Sequence, residues 1–173
     1  MSTQTRELTP ADGELLVRTG CEGAMARMGH DLTLAVGRWR ATLGLAEAAA
    51  DCTLSATADL DSLSVRDSAG GAKEVSASDR KTIERNAAGS LGGGRLTFTA
   101  TEITGGLDRG TVRGEATLNG VTRPLELAVE RTGDGYRLTG TIVQSQFRIK
   151  PYSAMMGALK VADAVQIEAT VRL

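Results

Sequence analysis

The sequence is short of large rings. Five aromatic side chains, Trp39, Phe98, Tyr136, Phe147 and Tyr152, make up only 3% of its 173 residues. Two cysteines are too few for the disulfide framework of a small secreted scaffold, so Cys21 and Cys52 are expected as free thiols in a reducing compartment. An excess of one charge is also missing. Twenty basic residues face 21 acidic ones, which leaves no electrostatic footprint for nucleic acid. No apolar run approaches the roughly 18 residues of a transmembrane helix. The opening Met1-Ser2-Thr3-Gln4-Thr5-Arg6-Glu7 lacks the basic-then-apolar pattern of a secretory signal, and the chain therefore reads as cytoplasmic. Length and composition imply one domain over residues 1–173, with 1–12 as a loosely ordered N-terminal segment.

Catalytic constellations are equally scarce. The one histidine is His30, in Met28-Gly29-His30-Asp31-Leu32. Neighbouring residues of a strand point to opposite faces, so His30 and Asp31 serve one site only across a bulge. No G-x-S-x-G elbow, HExxH or CxxC accompanies them. The Gly89-Ser90-Leu91-Gly92-Gly93-Gly94 run follows a helical segment instead of preceding one, and it lacks the Lys-Ser/Thr of a phosphate loop. No catalytic residue and no metal ligand is assigned. His30 is read as structural, with an enzyme built on it as the alternative.

What the chain does have is period-two alternation. Leu96, Phe98 and Ala100 oppose Thr97, Thr99 and Thr101. Val112, Gly114, Ala116 and Leu118 oppose Arg113, Glu115 and Thr117. Leu125, Leu127 and Val129 oppose Glu126 and Glu130, and Val165, Ile167, Ala169 and Val171 oppose Gln166, Glu168 and Thr170. Each such run is a half-buried strand. Further runs lie at residues 14–19, 32–36, 39–43, 52–56 and 136–142. Asn119-Gly120 between two runs is a strong hairpin signal, and Thr132-Gly133-Asp134-Gly135 is a second tight turn. Residues 76–87 read as a helix with Ile83, Ala87 and Leu91 on its apolar stripe, and residues 153–159 as a shorter helical turn. Residues 61–75 read as a polar loop.

About eight alternating strands in one small domain are expected to close into an antiparallel β-barrel, which removes exposed edges; a β-sandwich is the alternative. An eight-stranded barrel is filled by side chains or holds one small ligand. Here the shortage of rings matters. Inward positions are mostly Leu, Val, Ile, Ala and Gly, so either the barrel is flattened or an apolar guest completes it. The candidate lining is Leu34, Val36, Trp39, Phe98, Leu118, Leu127 and Ile142, chosen by face and bulk. Met155, Met156 and Leu159 join them by position beside the expected mouth.

The order of motifs resembles the YceI-like family. The resemblance rests on Gly29-His30-Asp31-Leu32-Thr33-Leu34 with Trp39, then Ser78-Asp79-Arg80-Lys81-Thr82-Ile83, then Leu96-Thr97-Phe98. It continues through Gly114–Arg123, Phe147-Arg148-Ile149-Lys150-Pro151-Tyr152 and Leu159–Val165. It implies a lipocalin-like antiparallel barrel of about eight strands that binds, stores or carries an apolar chain, a polyisoprenoid or fatty acyl ligand, without catalysis. It implies no other cofactor, and some members dimerise, so a homodimer is among the expected partners. Two departures stand out. Many members carry a signal peptide. The family also often has glycine after the phenylalanine where Arg148 stands, so Arg148 is expected to narrow the tunnel if that glycine lets a ligand pass. A structural or interaction protein with a self-filled barrel is the competing reading.

Overall fold

The computed structural model describes residues 3–24, 31–69, 76, 81–86 and 94–173. Twelve strands account for most of them: β1 (Gln4–Leu8), β2 (Gly13–Thr19), β3 (Cys21–Glu22), β4 (Asp31–Leu45), β5 (Thr53–Ala69), β6 (Arg95–Gly105), β7 (Arg109–Leu118), β8 (Val121–Arg131), β9 (Gly135–Val143), β10 (Ser153–Ala154), β11 (Leu159–Val161) and β12 (Ala164–Arg172). The main sheet runs β4-β2-β12-β9-β8-β7-β6-β5, and β5 pairs back onto β4. All of these pairings are antiparallel, so the eight strands form a closed barrel without a free edge in the ring. A small sheet, β10-β11-β3, lies beside it.

The expected hairpins are present. Asn119 and Gly120 join β7 to β8 with φ of 54° and 72°, the left-handed pair that a two-residue turn of matching twist requires. Pro124 lies where β8 pairs with β7 alone, because the β8–β9 ladder starts only at Ala128, so its missing N–H costs no ladder bond.

Four expectations are corrected. Residues 4–8 of the segment expected to be loose form β1, which pairs with β4 from Gln4↔Leu45 to Leu8↔Ala41 and buries Leu8. The runs at 32–36 and 39–43 are one strand, β4, with a register shift between Val36 and Arg38. Arg38 N–H donates to Ser62 Oγ at 2.8 Å, and that hydroxyl donates to Asp59 O at 2.6 Å, so the irregularity is tied down on the β5 side. The polar stretch from Asp61 to Ala69 is not a loop; it continues β5 along β4. Its inward residues change phase at the irregularity, from Ala58 and Leu60 to Leu63 and Val65, and this hid the strand. Finally, the helical turn expected over residues 153–159 is confined to a 3-10 turn at Met155–Gly157, with β10 before it and the start of β11 after it.

The described part of the expected helix covers residues 81–86. There Ile83 packs on the core, and Glu84 Oε1 accepts from the Val65 N–H at 3.1 Å. Ala87, Leu91 and residues 70–75 lie outside the described residues, as does His30.

Candidate functional site

The barrel interior divides into two halves at one level. On β4, Leu34 and Val36 belong to the packed core, whereas Trp39, Ala41, Leu43 and Leu45 line an empty space. On β5 the change falls between Leu60, in the core, and Ala58, at the space. On β12 it falls between Val165 and Ile167, on β2 between Val17 and Leu15, and on β8 between Val121 and Leu125. In a barrel of tilted strands paired residues differ in height, so these boundaries, stepping where Val17 pairs with Ile167 and Val165 with Ile142, form one floor across the barrel axis. Above it lies a cavity of about 190 Å³ with almost wholly apolar walls. It occupies the end that carries β1 and the β4–β5, β6–β7 and β8–β9 connections. Leu107, one of the exposed large apolar residues, lies at its rim.

The filled half is closed by the segment after β9. Residues Gln144–Phe147 make a 3-10 turn that buries Phe147, and Ile149 follows it into the core. Asn119 Nδ2 donates to Phe147 O at 3.1 Å, which ties this plug to the β7–β8 hairpin. Gln144 is the buried polar residue among those described, and it is satisfied. Its Nε2 donates to Ala162 O at 3.1 Å, and its N–H to Asp163 O at 2.8 Å.

Arg148 does not narrow the interior. Its backbone sits in the left-handed region at φ 58° and ends the 3-10 turn, with its N–H donating to Ser145 O at 3.1 Å. The residue is exposed. The turn, and not passage of a ligand, is what this position demands of the backbone.

Of the ten residues singled out from sequence, Trp39, Phe98, Leu127 and Ile142 line the cavity. Leu34, Val36 and Leu118 are buried on the expected faces but belong to the filled half. Met155, Met156 and Leu159 sit in the β9–β12 connection, at the end opposite the cavity, so the mouth is not beside them. Met156 is fully exposed, while the side chains of Met155 and Leu159 are outside the described ones. Selection by bulk missed the residues that make the hollow. Ala41, Ala56, Ala58 and Ala169 all line it, and small inward residues were the available signal.

Polar chemistry at the cavity is sparse. Cys52 lines it beside the β4–β5 connection, where its sulfur accepts the Ala46 N–H at 3.4 Å and lies 3.7 Å from Ala46 O. Cys52 is a free thiol, and burial followed by the Asp31 carboxylate pushes the Cys21 thiol above its ordinary range. On the outer face, Glu168 of β12 is held between Arg18 of β2 and Arg137 of β9. Burial alone would raise its carboxyl pKa. The hydrogen bond and charge of Arg18, then those of Arg137, outweigh burial and lower it. Among the described residues, no three His, Cys, Asp or Glu side chains are grouped to hold a metal ion. No helix among them is long and apolar enough to cross a membrane.

The family model described as YceI-like domain matches residues 23–173. The solved structure of BcnA from Burkholderia cenocepacia is similar, with a TM-score of 0.61 at 19% identity, covering 91% of this chain and 93% of that one. The Campylobacter jejuni YceI protein has a TM-score of 0.57 at 14% identity, covering 84% and 85%. No curated protein matches the sequence.

Proposed function

Because this chain belongs to the YceI-like family, we propose that it binds an apolar chain molecule, an isoprenoid or acyl lipid, in the hollow half of its barrel and stores or carries it. One observation supports this above the others: a cavity of about 190 Å³ with aliphatic and aromatic walls in an otherwise packed interior. Native interiors hold few voids of that size, and a dry apolar void of about 150 Å³ already admits benzene. Each methylene moved from water into such a space is worth about 0.8 kcal/mol, so an apolar chain needs no hydrogen bonds to be held. Selectivity then comes from width and length.

The reading is of a binder and not a catalyst. A self-filled barrel with a purely structural role fits the lower half of the interior but leaves the upper half without a purpose. The Cys52 thiol suits a reducing compartment such as the cytoplasm.

The test is extraction of the purified protein with organic solvent followed by mass spectrometry, together with titration by an environment-sensitive apolar dye. A stoichiometric lipid, or saturable dye uptake lost in Ala56→Phe and Ala169→Phe variants that still fold, is the expected result. The absence of both an extracted lipid and saturable dye uptake overturns the proposal.

A further inference from the structure

The level floor has a consequence for which chains fit. We infer that the cavity is a blind-ended ruler that accepts the terminal eight to twelve carbons of an apolar chain and measures them against Trp39, Ala58, Phe98 and Ile142. This inference rests on the cavity being the ligand site.

Three observations carry it. First, among the described residues the interior does not continue as a tunnel. Below the floor lie Leu60, Leu118, Phe147, Ile149 and Val165, all at most 7% exposed. Phe147 is held from two sides, by its place in the 3-10 turn and by the Asn119 amide on its carbonyl, so the plug is built in and not a loose side chain. Second, the depth is short. From Trp39 to Leu45 the wall of β4 covers about 20 Å along the strand, or about 15 Å along the barrel axis at the usual tilt. Third, the volume agrees. By proportion to a void of about 150 Å³ that admits the six carbons of benzene, a cavity of about 190 Å³ takes roughly eight or more carbons. The matching guests are a medium-length acyl or alkyl chain and an isoprenoid of two units. A longer chain leaves its remainder at the rim, near Leu107.

Two floor and wall positions set the length. Ile142 is 4% exposed, is the last β9 residue at the cavity, and pairs with Val165 of β12 just below the floor. Ala169 lines the wall one inward position above Ile167, where added bulk would raise the floor.

The experiment measures dissociation constants for straight-chain alcohols of six to sixteen carbons by displacement of a bound apolar dye. Affinity should rise about fourfold per added methylene up to about ten or twelve carbons and then stop rising. Ala169→Leu should bring the break to shorter chains, and Ile142→Ala should move it to longer ones. Far-ultraviolet circular dichroism of each variant establishes that it is folded. An unbroken rise to sixteen carbons, or a break that neither folded variant moves, overturns the ruler while leaving the binding function in place. Failure of every alcohol and of the dye to bind overturns both.

Discussion

The ring of Phe98 lies over Gly114 on the neighbouring strand. A Cβ on that glycine would stand 2.7 Å from Phe98 Cζ and 2.3 Å from Thr99 O. The absent side chain lets a large ring lie flat against the wall of the cavity. Gly114→Ala is expected to destabilise the protein by about 2–3 kcal/mol, because one of the two clashes is with backbone and the strand must move. Urea denaturation measures this. Dye affinity should change with it, since Phe98 is pushed into the cavity.

Arg148 pays a conformational cost that a glycine would not. At φ 58° a non-glycine residue costs about 1 kcal/mol or more, part of which glycine returns as chain entropy in the unfolded state. Arg148→Gly should therefore stabilise by about 0.5 kcal/mol and leave dye binding unchanged. A loss of stability on thermal melting would mean that the exposed guanidinium does more than the turn geometry implies.

Glu168 makes stability depend on acid. Its folded-state pKa lies below the unfolded value, so its contribution is full above the ordinary carboxylate range and is lost as pH falls through the lower folded value. With partners that are roughly half exposed, that contribution is about 0.5–1 kcal/mol. Glu168→Gln should cost that much at pH 7 and progressively less as the pH is lowered below the ordinary carboxylate range, as read from denaturation midpoints across a pH series.

The two thiols should report on different things. Cys21, its pKa raised by burial and by Asp31, should alkylate more slowly at pH 8 than an exposed thiol. Cys52 lines the cavity. In a Cys21→Ser background, saturating the protein with a ten-carbon alcohol should slow Cys52 alkylation several-fold, as followed by intact mass. An unchanged rate would place the alcohol elsewhere.

Strand faces were legible in the sequence wherever alternation ran without interruption. β6, β7, β8 and β12 and the Asn119–Gly120 hairpin all lie where period two predicts them. β1 was not legible, because in Gln4-Thr5-Arg6-Glu7-Leu8 only the last residue is buried. The second half of β5 was hidden by the phase change after Leu60. The cavity was half legible for a related reason. Face is a local property, and Leu34, Val36 and Leu118 were placed on the correct one. Height along the axis depends on register summed around eight strands, which no single segment carries. The shortage of rings does leave space, but all of it falls at one end, because Phe147 and Ile149 fill the other.

That division lets stability and guest choice drift apart. The packed end supplies the larger share of the hydrophobic burial that keeps the barrel folded, so substitutions in the cavity wall reshape the hollow with less penalty to folding. Proteins only 14–19% identical to this chain share the barrel, and an engineer can rebuild the mouth on a scaffold that the opposite end already holds rigid.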